Sequence, residues 1–315
     1  MNLKIIKNLL KKAKNPIDLR DFLLYKLCAI IYRKNNGFYI FDESWDNLII
    51  LDACRYDTFE EQYIKRKMHG QLTKKISRGD HTISFLLENF TKDYYEDIIY
   101  LTANPYVNRY LKDKFFKIVS VWKDGWSEEY HTVLPETMYN YTINTFLRYP
   151  DKKYIIHFMQ PHFPYIDSNI VDKSLEKFRD PNFTGENYKL SKDVKKSIWS
   201  LYSADIYAMI EYKNHLRMYK KNLNLTLPYV ENLINLLPGI SVVSADHGEA
   251  FKEKMHPLVP FNFYGHRRGI RMPSLINIPW LIIKPEEKDK TMRNKLLEEE
   301  LIRNKVNKLK KQGLV

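Results

Sequence analysis

The sequence predicts an α/β fold, a mainly parallel central sheet with helices on both faces. Short apolar runs that are rich in β-branched residues and almost free of charge recur along the chain, as is typical of buried parallel strands. Longer segments with helical periodicity separate them, and strands alternating with helices favour parallel crossover connections. The 315 residues are 44% hydrophobic, which is enough for a large core and excludes a disordered chain.

Each predicted element follows from its local pattern. The apolar runs predict strands at 47–51, 98–101, 118–121, 154–158, 240–244 and 280–283. The helical patterns between them predict helices at 57–68, 82–91, 135–148, 192–212 and 214–237. The sequence shows no internal repeat and no low-complexity tract.

Charge divides the chain into three parts. The net charge of +13 comes mostly from residues 1–36, with +7, and residues 284–315, with +4, which leaves 37–283 nearly neutral. We therefore predict a basic helical extension at 1–36, a catalytic domain at 37–283 and a charged amphipathic C-terminal helix at 284–315. The extensions are interpreted first as surface helices packed on the body, and alternatively as basic helices lying on anionic lipid.

Composition excludes several classes of protein. Cys28 and Cys54 cannot form a disulfide framework and lack a zinc-binding spacing, which indicates a reducing compartment. No run approaches the roughly 18 to 20 apolar residues that span a bilayer, and no signal peptide is recognised. We expect a cytoplasmic protein, with a peripheral contact to the inner face of an anionic membrane through its termini. Nucleic acid is not an expected partner, because the basic residues lie at the ends and no nucleic-acid-binding motif is found.

Polar residues follow three of the predicted strands. Asp52 follows the first strand, His157 and His162 lie at the end of the fourth, and Asp246 and His247 follow the fifth. Ligands of open α/β sheets bind beyond the carboxyl ends of the strands, and Asp with His suits a divalent cation. The alternative is that Asp52 caps the next helix and that Asp246 and His247 lie in an ordinary loop.

A nucleophile is predicted in the segment Ser77-Arg-Gly-Asp-His-Thr82-Ile-Ser84. Thr82 directly precedes a helical apolar pattern, so its hydroxyl would lie at a helix N-terminus, where an oxyanion is favoured. The alternative is that Thr82 is only an N-cap. Ser77 and Ser84 remain rival nucleophiles at this point.

Five motifs in one order carry a family resemblance. They are Asp52-Ala-Cys-Arg-Tyr-Asp57, Ser77-Arg-Gly-x-x-Thr82, His157-Phe-Met-Gln-Pro-His162-Phe-Pro-Tyr165, Ser244-Ala-Asp246-His247-Gly-Glu249 and Tyr264-Gly-His266. Together they resemble the sulfatase-like branch of the alkaline phosphatase superfamily, especially its archaeal sulfatase-like members. The resemblance covers roughly residues 45 to 283 and implies an alkaline-phosphatase-like fold for the catalytic domain.

The resemblance implies a role for each motif. Asp52, Thr82, Asp246 and His247 would hold one divalent metal ion (Mn, Mg, Ca or Zn), with Thr82 as the nucleophile, in a site similar to that of lipoteichoic acid synthases. His162 and His266 would contact the transferred group or protonate the leaving oxygen. Arg78, His157 and Arg55 would bind the substrate, and an arginine fork suits an anion.

Departures from the family pattern narrow the expected activity. The chain lacks the Cys-x-Pro-x-Arg sequence of true sulfatases, and Met209 stands where a second-metal histidine would follow Asp205, which favours a single metal. We expect a hydrolase or transferase that acts on phosphate esters, and less so sulfate esters, through a covalent threonine. Its substrate would be a phosphorylated or sulfated small molecule, glycan or lipid. The alternatives are a non-catalytic sulfatase-like scaffold and a basic protein that binds nucleic acid or membranes.

Overall fold

The structure is a computed structural model that describes residues 30–31, 35–166, 212–256, 259–266 and 268–311. The strands are β1 (Asn47–Leu51), β2 (Gln71–Ile76), β3 (Tyr95–Thr102), β4 (Phe115–Ser120), β5 (Trp126–Ser127), β6 (Thr132–Val133), β7 (Lys153–Phe158), β8 (Ser241–Ala245), β9 (Ala250–His256), β10 (Val259–Gly265) and β11 (Asn277–Ile283). The helices are α1 (Tyr56–Arg66), α2 (Thr82–Asn89), α3 (Tyr106–Tyr110), α4 (Val121–Asp124), α5 (Pro135–Arg148), α6 (Tyr212–Leu236), α7 (Pro273–Ile276) and α8 (Lys290–Lys311), with a 3₁₀ turn at Pro285–Glu287.

Seven strands form one sheet in the order β2-β11-β8-β1-β7-β3-β4. The pairs β8–β1, β1–β7, β7–β3 and β3–β4 are parallel, whereas β11 is antiparallel to both β8 and β2. In the centre, Leu51 pairs with both Phe158 and Ala245. The residues that follow these three strands therefore leave the sheet side by side at its carboxyl edge.

Both faces of the sheet are covered, as the sequence predicts. Successive side chains of a strand point to opposite faces, so Ile49 and Leu51 join one buried cluster while Leu48 and Ile50 join another. The first cluster takes its helical residues mainly from α1, α5 and α6, and the second mainly from α2 and α3. The α/β class with helices on both faces is confirmed.

The edge strand β2 and the hairpin β9–β10 are absent from the predicted elements, as are the short elements α3, α4, α7, β5 and β6. The edge strand β2 reads Gln-Leu-Thr-Lys-Lys-Ile, and its lysines remove the apolar run that marks a buried strand. The hairpin β9–β10 begins at Ala250, shortly after β8 ends at Ala245, and carries charged residues on β9. The predicted helix 192–212 lies outside the described residues, apart from its last position.

The C-terminal helix α8 is anchored to the body at its beginning. The Lys288 ammonium donates hydrogen bonds of 2.8 Å to the Leu237 carbonyl and to the Ser241 hydroxyl. Leu297 of α8 packs against the main core. These contacts favour the interpretation of the C-terminal segment as a helix packed on the body. Most of the predicted N-terminal extension, residues 1–29 and 32–34, lies outside the described residues.

Of the helices that the structure describes, none combines the length and hydropathy needed to cross a bilayer. The division into an extension, a catalytic domain and a terminal helix stays a prediction, and so does the cellular location.

Candidate metal centre and active site

Three buried side chains meet at the carboxyl edge of the sheet. Asp52 follows β1, and Asp246 and His247 follow β8, its parallel neighbour. Each is at most 1% exposed, and one ligand atom from each lies within 4.8 Å of the others. The predicted convergence of these residues is therefore present in the fold.

The two carboxylates are each held through one oxygen. Asp52 Oδ2 accepts a 2.8 Å hydrogen bond from the Asn104 side-chain amide. Asp246 Oδ1 accepts hydrogen bonds from the backbone N–H groups of Ala53, at 3.0 Å, and His247, at 2.9 Å. Ala53 has a φ of 58°, a left-handed conformation that is unfavourable for alanine and turns its N–H toward Asp246. Both carboxylates are thus fixed in orientation before any ion binds.

The remaining atom of each group faces a common point. His247 donates from Nδ1 to the Gly248 carbonyl at 2.8 Å, so its Nε2 lone pair faces the Thr82 hydroxyl and the two carboxylates. His247 Nε2 lies 3.3 Å from Asp246 Oδ2 and 3.8 Å from Asp52 Oδ1. Within the described part of the chain, these two carboxylate oxygens are buried without a hydrogen-bond partner. Buried unpaired acceptors are rare and costly, so this donor set fits a divalent cation.

Burial and mutual charge interactions shift the pKa values of all three groups. Burial and the nearby Asp52 charge raise the pKa of Asp246 to about 6. Burial also raises the pKa of Asp52, but His157, His162 and His247 outweigh it and bring the net pKa below its ordinary value. Burial and the neighbouring His266 lower the pKa of His247 well below its usual range. The imidazole is therefore neutral and able to act as a ligand.

Thr82 begins α2 next to this cluster. The N-cap of the helix is His81, whose Nδ1 accepts from the Ser84 N–H at 3.2 Å in a reciprocal capping box. Thr82 is therefore not the cap, contrary to the alternative considered from the sequence. Its hydroxyl lies 3.3 Å from His247 Nε2, and the side chain is buried. The helix N-terminus thus directs this hydroxyl to the candidate metal centre.

The hydroxyls of Ser77 and Ser84 have structural partners instead. Ser77 Oγ donates to the Asp246 carbonyl and accepts from the Gly79 N–H at 3.0 Å. Ser84 Oγ donates to Asp80 Oδ1 at 2.7 Å as part of the capping arrangement. Of the three candidate nucleophiles, Thr82 is the one whose hydroxyl lies within hydrogen-bond distance of His247 Nε2.

A second group of ionisable side chains lies beside the first. His266 Nδ1 is 3.0 Å from Glu249 Oε2, and the His162 ring centroid lies 5.1 Å from that of His266. The His247 and His266 rings are 4.3 Å apart, which connects the two groups. His162, Glu249 and His266 also have ligand atoms within 4.8 Å of one another. This second group is positioned to contact a transferred group or a second ion, so the expectation of a single ion stays a prediction.

Hairpin β9–β10 explains how Glu249 and His266 meet. Glu249 directly precedes β9 and His266 directly follows β10, and the two antiparallel strands bring their outer ends together. Arg55 holds the hairpin, since its guanidinium donates to Glu253 Oε1 and, at 3.2 Å, to the Glu249 carbonyl. A glycine is required at position 248, between β8 and the hairpin, because an added Cβ would lie 2.1 Å from the Ser274 carbonyl oxygen.

The two arginines predicted to bind substrate make protein contacts. Arg55 pairs with both oxygens of Asp57 at 2.9 and 2.6 Å, besides its bonds to the hairpin. Arg78 lies 3.6 Å from a Glu88 oxygen and stacks over the Tyr39 ring at 5.6 Å. These contacts favour positioning roles, and substrate binding by either arginine stays a prediction.

His157 is buried too deeply in the protein to contact a substrate directly. It is the penultimate residue of the buried strand β7 and has no exposed surface. Its Nδ1 is 3.0 Å from the Tyr100 hydroxyl, and burial raises the pKa of Tyr100 well above its ordinary value, so the phenol stays protonated. His157 Nε2 lies 3.6 Å from an Asp52 oxygen and 3.9 Å from an Asp246 oxygen. The predicted substrate contact is not supported by this position and stays untested.

Sequence reasoning missed Asn104, Tyr100 and Glu249 as members of the site. Asn104 lies two residues beyond β3, so the rule that directed attention to the other strand ends could have found it. Glu249 belongs to a quoted motif, but its partner His266 is 17 residues away, across a hairpin that the pattern did not predict. Tyr100 is an apolar-looking strand residue, and no local signal marks its hydroxyl.

The fold is similar to those of several solved structures. No family model and no curated protein matches the sequence. Among solved structures, the integral membrane protein lipooligosaccharide phosphoethanolamine transferase A of Neisseria meningitidis has a TM-score of 0.49 and 12% identity over 90% of this chain. The lipoteichoic acid synthase LtaP of Listeria monocytogenes has a TM-score of 0.42 and 11% identity, covering 84% of this chain and 72% of its own.

A third similar structure is a protein in the alkaline phosphatase superfamily from Vibrio parahaemolyticus, with a TM-score of 0.38, 12% identity and coverage of 84% of this chain and 69% of its own. The chain spans 59% of the length of the Neisseria protein. None of these three structures reaches a TM-score of 0.5, so the function of the chain is argued from the geometry of its site.

Proposed function

We propose that the chain is a metal-dependent phosphoester transferase or hydrolase of the sulfatase-like branch of the alkaline phosphatase superfamily. The observation that carries the proposal is the meeting of three preorganised ligand atoms, from Asp52, Asp246 and His247, with the Thr82 hydroxyl at the start of a helix. If Thr82 had only a structural role and Asp246 and His247 lay in an ordinary loop, the fold would have no reason to bury unpaired carboxylate oxygens beside the Thr82 hydroxyl. The substrate class is a phosphorylated small molecule, glycan or lipid.

The first half of the reaction forms a phosphothreonine. Thr82 Oγ1 attacks phosphorus, its proton leaves to solvent or a nearby base, and the bond from phosphorus to the leaving oxygen breaks. His162 or His266 donates a proton to that oxygen, so the departing group leaves as a neutral alcohol. Glu249 accepts a hydrogen bond from His266 and orients its ring toward the reacting group.

The second half releases the phosphoryl group. Water or an acceptor alcohol attacks the phosphothreonine, and the same histidine takes the proton of the attacking hydroxyl. The Thr82–phosphorus bond breaks, and Thr82 Oγ1 regains a proton from solvent or from the base that took its proton in the first half. Asp52, Asp246, His247 and Thr82 would hold one divalent cation. Such an ion, when bound, lowers the pKa of a nearby hydroxyl and neutralises charge on phosphoryl oxygens. The choice between water and alcohol separates a hydrolase from a transferase.

The test uses full-length protein supplied with Mn²⁺ or Zn²⁺ and an aryl phosphodiester, with intact-protein mass spectrometry of quenched samples. We expect turnover and a phosphoryl adduct on Thr82. Thr82→Ala should lower turnover at least about 10³-fold, because the nucleophile is lost, whereas Thr82→Ser should keep part of it. Full activity of Thr82→Ala, or an adduct on another residue, would contradict the mechanism.

A matched control separates chemistry from folding. Thr142 is also buried, but its hydroxyl donates to the Met138 carbonyl inside α5 at 2.7 Å, away from the site. Thr142→Ala should therefore cost stability of about 1 kcal/mol and leave turnover per folded molecule unchanged.

A further inference from the structure

A buried tyrosine and histidine lie behind the candidate metal centre. Tyr100 is on β3 and His157 on β7, which are adjacent parallel strands of the sheet. Neither side chain has exposed surface, and the Tyr100 hydroxyl is 3.0 Å from His157 Nδ1. The phosphoryl-transfer steps described above make no use of either residue.

The direction of this hydrogen bond follows from the surroundings of the phenol. The Tyr100 ring packs edge-on against Phe90 and Phe115, which offer no acceptor. A buried O–H has to donate, and among the described residues its hydrogen-bond partner is His157 Nδ1. Tyr100 therefore donates to Nδ1, which places the proton of a neutral His157 ring on Nε2.

The Nε2 atom of His157 faces the two carboxylates. It lies 3.6 Å from Asp52 Oδ2 and 3.9 Å from Asp246 Oδ2. These distances are too long for formed hydrogen bonds, and the atom is buried without a hydrogen-bond partner in the described part of the chain. An N–H at this distance from both oxygens reduces the repulsion between two like charges in a medium of low polarity.

We propose that Tyr100 and His157 form a positioning relay, in which the Tyr100 hydroxyl fixes the His157 tautomer so that its Nε2–H reduces the repulsion between the Asp52 and Asp246 carboxylates that would hold the metal ion. The inference rests on the proposed metal centre and assigns His157 a position behind the ligands in place of a substrate contact. Outer partners of metal ligands typically change affinity by about 10- to 100-fold when removed.

The first test measures the Zn²⁺ affinity of the full-length chain by competition with a chromophoric chelator. Tyr100→Phe should weaken binding about 10-fold, and His157→Leu at least as much. His157→Gln should retain most of the affinity, because its side-chain amide can still present an N–H to the carboxylates. Unchanged affinity in Tyr100→Phe, or equal losses in His157→Gln and His157→Leu, would overturn the relay.

A matched tyrosine controls for the loss of a buried hydroxyl. Tyr154 is also buried, and its hydroxyl donates to the Tyr149 carbonyl at the opposite end of β7 from the site. Tyr154→Phe should leave Zn²⁺ affinity unchanged, and a loss equal to that of Tyr100→Phe would point to general destabilisation and overturn the specific role of Tyr100.

The second test reads the tautomer directly. Long-range ¹H–¹⁵N spectra of histidine-labelled full-length protein at pH 8 with Zn²⁺ should show the Nε2–H tautomer for His157, assigned by its absence in His157→Gln. Tyr100→Phe should shift this signal toward a mixture of tautomers. An Nδ1–H tautomer or a doubly protonated ring in the wild type would overturn the proposal. Failure of the wild type to bind Zn²⁺ would remove the metal centre, while this spectrum would still decide the tautomer.

Discussion

At the scale of single residues, the site is a set of groups that each use one atom for the protein and leave another for a ligand. Asp52 is held by Asn104, Asp246 by two backbone N–H groups, and His247 by the Gly248 carbonyl. The anchoring bonds limit rotation of each side chain, so the free atoms already face one another. Preorganisation of this kind reduces the entropy that is lost when a cation binds.

A pH dependence follows from Asp246. Its pKa is raised to about 6 by burial and by the Asp52 charge, and an ion must displace the proton when it binds. Zn²⁺ affinity should therefore be nearly constant above pH 6.5 and fall by up to about tenfold per pH unit below pH 6, since one proton competes. His247 adds little in this range, because its pKa is lowered and it is already neutral.

This pH dependence is measured by chelator competition between pH 5 and pH 8, with the chelator's own protonation taken into account. A constant affinity across the range would show that Asp246 is ionised throughout and would contradict its raised pKa.

The identity of the site residues could be predicted from sequence because strand ends carry a local signal. An apolar run followed by Asp or by Asp-His marks both the strand and the edge where its polar residues lie. The hydrogen bonds that fix these residues could not be predicted in the same way. The pair Asn104–Asp52 joins residues 52 positions apart, and the pair Tyr100–His157 joins residues 57 apart, so both depend on strand order.

At the scale of elements, the position of Thr82, the proposed nucleophile, depends on how α2 packs at its beginning. Gly79 lies against the first turns of this helix, and an added Cβ would come 2.5 Å from Phe85 Cβ and 2.6 Å from Phe85 N. Because the second of these contacts is to a backbone atom, the steric clash can be relieved only if the helix that carries Thr82 moves.

We expect Gly79→Ala to destabilise the protein by about 1–3 kcal/mol, as overpacking does, and to lower turnover per folded molecule as well. Denaturant unfolding and phosphodiester turnover measure the two effects. Gly125→Ala is the control, because the closest atom to its new Cβ, at 2.7 Å, is the side-chain methyl Thr137 Cγ2, remote from the site. Full activity in Gly79→Ala would show that the position of α2 does not govern the site.

The central strands and helices could be predicted from sequence because their periodicity is strong, whereas the hairpin β9–β10 could not be predicted. β1 and α5 coincide with the predicted ranges 47–51 and 135–148, because a fully buried strand and an amphipathic helix show strong periodicity. β9 mixes Lys and Glu with aromatic and aliphatic residues, and its pairing with β10 contains irregularities of register. The hairpin is held by Arg55, and such a long-range contact has no local signature.

At the scale of the whole molecule, the positive net charge lies mainly at the two ends of the chain. Residues 37–283 are nearly neutral, whereas residues 1–36 carry a net +7. We propose that this basic segment brings the protein to an anionic membrane surface, where a lipid-linked phosphoester would be available. Each lysine near such a surface contributes about 1 kcal/mol of binding.

The membrane proposal is tested with full-length protein and vesicles of phosphatidylcholine with or without phosphatidylserine. We expect co-sedimentation with the anionic vesicles only, and a loss of at least about tenfold in affinity when five N-terminal lysines are replaced by glutamine. The replaced residues are Lys4, Lys7, Lys11, Lys12 and Lys14. Equal binding by the wild type and this variant would refute the docking role of the segment.

The central claim is that Asp52, Asp246, His247 and Thr82 form the metal centre of the enzyme. The most direct measurement is an anomalous difference map at the zinc edge from crystals of the full-length protein grown with Zn²⁺. We predict a peak about 2.0–2.2 Å from Asp52 Oδ1, Asp246 Oδ2 and His247 Nε2, next to the Thr82 hydroxyl. A peak confined to the group of His162, Glu249 and His266, or no peak at either position, would contradict the account.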